Sequence, residues 1–457
     1  MGRLRTRGAL SLAAVGLLVG GAGAAPALAV EPMPAPSVPV ETPIAPPPGD
    51  KVPVETVDVR QEEYWLDDYG VRDAWKSATG KGVKIAVIDT GVDGSHQDLK
   101  DAVGEGTDVS GVGKANGQDG LGAEPEHGTL VASLAAGRGH GPANQDGPGG
   151  TRGIIGVAPE AEILPVSLWV GSEHPGARDI DEQIPDAVRW AVDHGADVIN
   201  MSLGSNATGW PPAWDSAFAY AEEKGVLVVA AAGNRGSGLN QVGAPATIPG
   251  VLSVGGVDRS RTASWDSSSQ GISIAVAGPS EEMVGAIPGD GYARWSGTSA
   301  TVPLVAGTAA LIKQKHPDLT AAGIAQRIVD TAHDAGAQGK DPLYGYGILD
   351  VRAAVEDDVR ISDTNPLGSV RQWIAQNRPP SQTPTHAAGD RGGHPTRGAG
   401  TPQRDRRATR GDPRQLRGDR RGPHRSRGPA HPQALALISR SAHRTADTAS
   451  AKPCHGE

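Results

Sequence analysis

Three polar residues lie at the end of a strand-like run or at the start of an apolar stretch. In a fold of alternating strands and helices, functional side chains lie at such positions. Asp89 ends a β-branched run and begins the tripeptide Asp-Thr-Gly, His127 opens an apolar stretch, and Ser299 precedes a second apolar stretch. An aspartic protease would need two such carboxylates sharing a proton, and no second Asp-Thr-Gly or Asp-Ser-Gly occurs. Taken alone, His127 fits an ordinary core or surface side chain. Ser299 alone fits either an N-cap serine or a group held where helix N–H groups stabilise negative charge.

The order and the surroundings of these residues resemble the subtilisin family of serine peptidases. Asp, His and Ser follow one another along the chain in the order of that family's triad. Further segments match the family in the expected order: Ser95-His96-Gln97-Asp98-Leu99, Gly156-Val157-Ala158-Pro159, Met201-Ser202-Leu203-Gly204, Ala231-Ala232-Gly233-Asn234 and Tyr344-Gly345-Tyr346-Gly347. The resemblance covers residues 64–359 and implies a serine-type endopeptidase.

The resemblance implies a catalytic triad and an oxyanion hole. Ser299 would be the nucleophile, His127 the general base and then the general acid, and Asp89 the group that orients the imidazole. Asn234 would donate its side-chain N–H to the tetrahedral oxyanion, beside the backbone N–H of Ser299. Together these groups would hydrolyse peptide bonds through an acyl-enzyme intermediate.

The substrate-binding residues implied by the resemblance are Ser202, Leu203 and Gly204. A polypeptide substrate would lie extended along them and pair through its backbone, which gives affinity with limited sequence selectivity. No acidic residue is clearly placed to demand a basic side chain, with Glu126 as the one candidate exception. We therefore expect an apolar or small side chain at the cleaved bond.

The sequence departs from the family's motifs around the serine and the histidine. The family's usual motif is Gly-Thr-Ser-Met-Ala-x-Pro-His-Val-Ala-Gly, and here Ala300, Thr301 and Leu304 replace its Met, Ala and His, so no catalytic group is lost. Glu126 replaces the common glycine before His127. Its carboxylate is either a solvated charge or a group that raises the pKa of the histidine.

A structural calcium ion is left open by the sequence. Asp98 matches a calcium ligand of the family, but a calcium site takes six to eight oxygen ligands. The loop that would complete the site, residues 137–153, is an altered Gly-rich stretch. We expect no required cofactor and keep Asp98 as a calcium candidate only.

The elements that would position these residues alternate between strand and helix. Strands are predicted at residues 83–88, 162–168, 197–203, 225–231 and 251–257, and helices at 128–136, 186–194, 213–224, 302–315 and 320–331. Such alternation predicts an α/β fold with a mostly parallel central sheet and helices on both faces. The resemblance implies the subtilisin-like form of that fold.

The two ends of the chain differ in composition from its middle. Three arginines, the apolar residues 9–20 and Ala27-Leu28-Ala29 predict a signal peptide over 1–29. Residues 30–62 predict a Pro-rich linker, 63–359 the peptidase domain, and 360–457 a disordered tail rich in Arg, Gly and Pro. The single cysteine, Cys454, excludes an intramolecular disulfide and a Cys-based metal site.

Charge separates the tail from the rest of the chain. From Arg371 onward there are 17 Arg and Lys against 6 Asp and Glu, a net +11 within a chain of net −9. The composition changes abruptly beyond Asn377, with almost no aliphatic residue until 434–438. Two interpretations stay open: a frameshift in a GC-rich gene that replaced a membrane anchor, or a genuine basic tail that binds anionic envelope polymers. Nucleic acid is not an expected partner, because the tail has no aromatic residue after Trp373 and no known module.

The N-terminal architecture resembles the mycosin group, the membrane-anchored subtilases associated with type VII secretion in actinobacteria. A signal, a short Pro-rich stretch and the lead-in Trp65-Leu66…Ala74-Trp75 leave little room for a folded propeptide. That group ends in a transmembrane helix, and no such apolar run follows the signal here. We expect an extracytoplasmic monomer, secreted or at the cell envelope, that acts on polypeptides. The alternative function is a catalytically silent subtilase fold serving as a scaffold in an envelope or secretion complex.

Overall fold

A parallel sheet of seven strands forms the centre of the computed structural model, which describes residues 59–362, 364–378 and 435–437. Its strands are β1 (Lys84–Asp89), β2 (Thr107–Asp108), β5 (Glu162–Ser167), β6 (Val198–Met201), β8 (Leu227–Ala231), β9 (Leu252–Val257) and β10 (Ile274–Pro279). They lie in the order β10-β9-β8-β6-β1-β5-β2. Every neighbouring pair is parallel. Residues of β1 pair on both sides, so Asp89 leaves the sheet at its carboxyl edge, opposite Ser167.

Three pairs of short antiparallel strands lie outside the central sheet. They are β3 (Arg138–Ala143) with β4 (Gly150–Ile155), β11 (Met283–Ile287) with β12 (Gly291–Trp295), and β7 (Leu203–Ser205) with β13 (Leu435–Leu437). The sequence does not predict β3, β4 or β10–β13 as strands, and the strand predicted at 197–203 includes only the first residue of β7. Most of these segments are short or Gly-rich, so their alternation is too weak to predict a strand.

Helices cover both faces of the sheet and divide its apolar side chains into two cores. The helices are α1 (Trp65–Asp68), α2 (Val71–Ala74), α3 (His127–Ala136), α4 (Ile180–Asp193), α5 (Pro212–Lys224), α6 (Thr298–Lys315), α7 (Ala321–Asp330), α8 (Val351–Glu356) and α9 (Val370–Asn377). Ile85 and Val87 of β1 pack with α3 and α6, whereas Ala86 and Ile88 pack with α4 and α5. Successive strand side chains point to opposite faces, so a strand covered on both faces reads as a continuous apolar run. The predicted α/β, subtilisin-like fold class is confirmed.

The segment before the first strand is bound to the domain by a buried ion pair. Arg60 Nε lies 2.9 Å from Glu63 Oε2 and donates to the carbonyl of Gly153 at 2.9 Å. Glu63 also accepts from the backbone N–H of Ile155 at 3.0 Å. Burial raises the pKa of Glu63, and Arg60 opposes that rise. The packed chain therefore starts inside the predicted linker, at least from Val59.

Helix α9 lies beyond residue 359, where the sequence analysis placed the end of the domain. Ser369 caps α9 by accepting from the N–H of Gln372, and its hydroxyl donates to Glu222 of α5 at 2.5 Å. The rings of Trp373 and Trp210 lie 4.3 Å apart. The boundary at 360 is thus corrected to Arg378 or beyond. It was misplaced because only one narrow apolar face, Val370 with residues 373 and 374, marks this helix in a polar sequence.

The remaining predicted segments fall outside the described residues. The signal peptide, most of the Pro-rich linker and most of the basic tail are among them. Among the residues that are described, no helix is long and apolar enough to cross a bilayer.

The docking of α9 generates a stability prediction. Replacing Trp373 by Ala removes its contact with Trp210 and the face over which the Arg378 guanidinium lies at 5.1 Å. Because Trp373 is half-buried, we expect the free energy of unfolding to fall by about 1–3 kcal/mol, below the cost at a fully buried aromatic site. Chemical denaturation measures the change. Gln376→Ala, an exposed site on the same helix, is the control, and equal midpoints for the two variants would contradict a docked α9.

Candidate active site

The strand end and the helix start hold Asp89 and His127 in direct contact. His127 Nδ1 lies 2.8 Å from Asp89 Oδ1, and neither side chain has any exposed surface. The same carboxylate oxygen accepts from the backbone N–H of Thr90 at 2.7 Å. With Nδ1–H donated to Asp89, the other ring nitrogen, Nε2, is left as the acceptor. The pair therefore presents a basic nitrogen whose tautomer is fixed by the carboxylate.

Two glycines allow the helix to approach the strand end this closely. A Cβ atom on Gly128 would lie 2.2 Å from the carbonyl oxygen of Gly91. Gly91 itself has φ +115°, and a Cβ there would lie 1.9 Å from the carbonyl oxygen of Asp119. In addition, the N–H of Gly128 donates to Thr90 Oγ1 at 3.0 Å. The motifs Asp-Thr-Gly and His-Gly-Thr thus carry, besides the two functional groups, the contacts that join them.

Ser299 lies in the first turn of α6, and its hydroxyl is turned towards the strand at Ser202. Ser299 Oγ donates to the carbonyl of Ser202 at 3.0 Å, and Ser202 Oγ donates to the carbonyl of Ser299 at 3.0 Å. Meanwhile His127 Nε2 is buried with no hydrogen-bond partner among the described residues. The structure brings Asp89 and His127 together, and it pairs Ser299 with Ser202, between β6 and β7, in place of the imidazole. Rotation of the serine side chain about χ1 is the change that would redirect the hydroxyl.

Asn234 is held by the residue that precedes Ser299. Its Oδ1 accepts from the backbone N–H of Thr298 at 2.9 Å and from Thr298 Oγ1 at 3.0 Å. That arrangement leaves Nδ2 as the free end of the amide, and Nδ2 is buried without a partner in the described part of the chain. A buried N–H donor with no acceptor costs free energy, so its persistence points to an acceptor that arrives with a ligand.

Trp295 is a neighbour of the site that the sequence analysis missed. Its ring lies 5.7 Å from the His127 ring at an interplanar angle of 82°, an edge-on contact. It ends β12, four residues before Ser299, and it is buried. The sequence signal that could have predicted this contact is an aromatic residue just before the Gly-Thr-Ser motif. Its contact restricts the tilt of the imidazole and keeps water from one side of the ring.

Comparison with known proteins gives the family of this chain. A family model described as the subtilase family matches residues 80–347. Subtilisin DY of Bacillus licheniformis is 37% identical over 282 residues, which are 61% of this chain and 92% of that protein. The chain belongs to the subtilase family.

The subtilase relatives differ in how much of their length this chain spans. Fervidolysin of Fervidobacterium pennivorans is 33% identical over 328 residues, but the match covers only 44% of that longer protein. Two solved structures are matched almost over their full length. MycP1 with its N-terminal propeptide removed gives a TM-score of 0.54 at 30% identity, covering 66% of this chain and 98% of that one. The MycP3 protease from the type VII (ESX-3) secretion system gives 0.56 at 30%, covering 69% and 98%.

The surroundings of Asp98 do not fit a calcium ion. Its Oδ1 lies 2.7 Å from His140 Nδ1, and its Oδ2 accepts from the N–H of Ile154 and the hydroxyl of Tyr292, both at 2.8 Å. Calcium takes oxygen ligands, whereas these groups point nitrogen and O–H donors at both carboxylate oxygens. Within the described ranges, no three His, Cys, Asp or Glu residues are grouped to hold a metal. The altered loop noted in the sequence is the β3–β4 hairpin, and it supplies two of these donors.

The electrostatics of His127 favour its protonated form. Burial alone would lower the pKa of His127, but the charge and hydrogen bond of Asp89 outweigh it, and Glu124 and Glu126 add to them. The pKa of His127 is therefore raised above its usual 6.5. Since only the neutral imidazole accepts a proton, peptidase activity should be lost as the pH falls through this raised pKa.

Glu126 provides the test of this pH dependence. Removing its charge with Glu126→Gln should lower the pKa of His127 and move the acid limb of kcat/KM to lower pH, because one source of negative potential is gone. The pH profile of peptide hydrolysis measures the shift. Glu223→Gln, an exposed site on α5, should leave the profile in place. An unmoved acid limb in Glu126→Gln would show that Glu126 is a solvated charge.

Proposed function

We propose that the chain is an extracytoplasmic endopeptidase whose triad is Asp89, His127 and Ser299 and whose oxyanion donor is Asn234. The observation that carries the proposal is the buried Asp89–His127 pair with its unpartnered Nε2. The nucleophile-bearing helix start and a free amide donor from Asn234 accompany it. Two of the polar atoms left unpaired at this site, His127 Nε2 and Asn234 Nδ2, have a partner in the reaction of a serine peptidase.

The first half of the reaction follows from these positions. Ser299 Oγ leaves the Ser202 carbonyl, donates its proton to His127 Nε2 and attacks the carbonyl carbon of the substrate. The Ser202 carbonyl that it vacates becomes free to accept an N–H from the substrate backbone. Asp89 holds the imidazole in place and stabilises the imidazolium that forms.

Charge on the substrate oxygen is stabilised by the start of α6 and by Asn234. Backbone N–H groups in the first helical turn and the helix dipole favour negative charge there. The Asn234 amide is already oriented by Thr298, so it needs no reorganisation when the oxyanion forms. His127 then passes its proton to the leaving amine, and a water molecule releases the acyl group by the reverse sequence.

The location and partners of the enzyme are part of the same proposal. The predicted signal peptide supports export. The near-complete coverage of the MycP1 and MycP3 structures supports an association with a type VII secretion system or the cell envelope, since the MycP3 protease is from the type VII (ESX-3) secretion system. Polypeptides with an apolar or small side chain at the cleaved bond are the expected substrates, and the chain is expected to act as a monomer without a required cofactor.

A catalytically silent scaffold is the competing function, and one substitution separates the two. Ser299→Ala should reduce kcat for a peptide substrate by at least about 10⁴-fold, because the triad residues act as a unit. His127→Ala should be almost as damaging for the same reason. Ser216→Ala on α5 is the matched control. Equal hydrolysis by Ser299→Ala and the parent chain would leave the scaffold as the function of this fold.

Asn234 has its own test, based on when its contact forms. Asn234→Ala should lower kcat by roughly 10²–10³-fold and change KM little, because the oxyanion exists only in the transition state. Initial rates over a range of peptide concentrations separate the two constants. Asn144→Ala, in the exposed β3–β4 loop, serves as control. A raised KM at unchanged kcat would assign Asn234 to ground-state binding.

A further inference from the structure

An exposed tryptophan lies close in the fold to the proposed oxyanion donor, with an arginine over its ring. Trp265 has 73% of its surface exposed, although a side chain of this size is on average mostly buried in a folded domain. The guanidinium of Arg235 lies 4.2 Å from the centre of the Trp265 ring, a distance at which a cation contacts the face of the ring. Arg235 directly follows Asn234 in the chain. The two side chains together form a charged aromatic surface, the Arg235–Trp265 patch.

The sheet topology places this patch on one side of the candidate site. Along the carboxyl edge of the sheet, β1 ends at Asp89 and β8 leads to Asn234, with β6 between them. The loop that carries Trp265 follows β9, which is the next strand beyond β8. This loop is joined to the turn after Asn234, because the N–H of Gly236 donates to the carbonyl of Asp266 at 2.9 Å. The patch therefore lies beyond Asn234, on the side away from Asp89.

The cation of this patch has no acceptor among the described residues. Other arginines that lie over an aromatic ring also bond to a carboxylate, a hydroxyl or a carbonyl oxygen, and they are Arg72, Arg189, Arg259, Arg261 and Arg378. The guanidinium of Arg235 has no hydrogen bond and no ion pair within the described part of the chain. Partial burial lowers the pKa of Arg235, and no described carboxylate opposes that change. The N–H donors of Arg235 are thus partly removed from water and unused.

A guanidinium held against a ring is suited to bind a carboxylate. The contact with Trp265 uses the face of the guanidinium, so the N–H groups around its planar edge stay available. A carboxylate accepts two of these N–H groups side by side. The ring also holds the arginine side chain in place, so that binding costs less side-chain entropy. The patch therefore fits the carboxylate of an aspartate or a glutamate.

A substrate positioned for cleavage brings its side chains close to this patch. In the proposed function the substrate oxygen contacts Asn234 Nδ2, and the Cα atoms of Asn234 and Arg235 are about 3.8 Å apart. An extended peptide advances about 3.3 Å per residue, so side chains up to two residues from the cleaved bond lie within reach of the Arg235 side chain. The cleaved position itself is expected to hold an apolar or small side chain. The acidic residue is therefore assigned to a neighbouring position.

We propose that Arg235 and Trp265 form a specificity subsite for an acidic side chain of the polypeptide substrate, within two residues of the cleaved bond. The proposal rests on the peptidase function proposed for the same site. It narrows the substrate class to polypeptides that carry an aspartate or a glutamate beside the apolar or small residue at the cleaved bond. No bond forms or breaks at the patch, and its contribution is to the binding of the substrate.

A peptide library that places Glu, Gln or Lys at each position around the cleaved bond tests this subsite. At one position within two residues of that bond, the full chain should hydrolyse the Glu peptide with a kcat/KM about three to ten times that of the Gln peptide. The advantage should shrink in salt of about 1 M, because salt screens charges that are not buried. Arg235→Glu should prefer Lys at that position, and Arg235→Gln should prefer neither charged residue.

Each comparison is a ratio between two peptides hydrolysed by the same variant, so a change in activity common to both peptides cancels. Arg189→Glu is the matched control, because Arg189 also lies over an aromatic ring, that of Tyr220, but on α4. Its ratio of Glu to Gln hydrolysis should equal that of the parent chain. Trp265→Ala keeps the charge of Arg235 and removes the ring that holds it, so this variant should lower the ratio without reversing it.

The outcomes separate this subsite from the function on which it rests. Equal kcat/KM for the Glu and Gln peptides at every such position would overturn the subsite and leave the peptidase intact, as would a preference for Glu that persists in Arg235→Glu. Failure to hydrolyse any peptide would overturn the peptidase itself. Binding of the same peptides to the Ser299→Ala chain, measured by fluorescence anisotropy, then tests the subsite alone. The Glu peptide should bind more tightly than the Gln peptide, and equal affinities would overturn the proposal.

Discussion

The hydrogen bond between Asp89 and His127 is the constraint around which the rest of the site is arranged. A carboxylate with no exposed surface is costly unless it is paired and hydrogen-bonded, and here it receives the imidazole and the N–H of Thr90. Bringing the two groups to 2.8 Å requires a strand in the middle of the sheet and a helix whose first turn touches the strand end. Gly91 and Gly128 make that contact sterically allowed. The contact thus joins the end of the central strand β1 to the first turn of α3.

The fold could be predicted largely because its central strands are buried on both faces. The run at 83–88 is β1 within one residue, and the predicted helix at 128–136 is α3 without its first residue. The elements that were missed share a physical cause, because their order comes from tertiary pairing and not from their own periodicity. The β3–β4 hairpin is rich in glycine, and α9 is a polar helix that depends on Trp210 of a distant loop for its apolar contact.

The candidate site could be predicted in its residue types but not in its geometry. The order of the motifs predicted Asp89, His127, Asn234 and Ser299 as candidate site residues. In the structure these residues lie around the carboxyl edge of the sheet. The rotamer of Ser299 depends on the carbonyl of Ser202, 97 positions away in the chain, and no local pattern encodes that choice. For Asp98, the sequence motif did not predict the groups that surround the side chain. A family motif suggested a cation, whereas the hairpin of this chain surrounds the carboxylate with hydrogen-bond donors.

The strand order also sets when this molecule can begin to act during its own synthesis. Strand β1 is made first, yet it lies between β6 and β5, so its first partner in the sheet, β5, follows only at residues 162–167 and its second, β6, at residues 198–201. His127 is only 38 positions from Asp89, but Ser299 arrives with α6, after all seven strands of the sheet and near the end of the domain. A chain that emerges N-terminus first therefore carries Asp89 and His127 long before Ser299. Under the function proposed above, the ribosome is in contact mainly with a chain that does not yet hydrolyse peptide bonds.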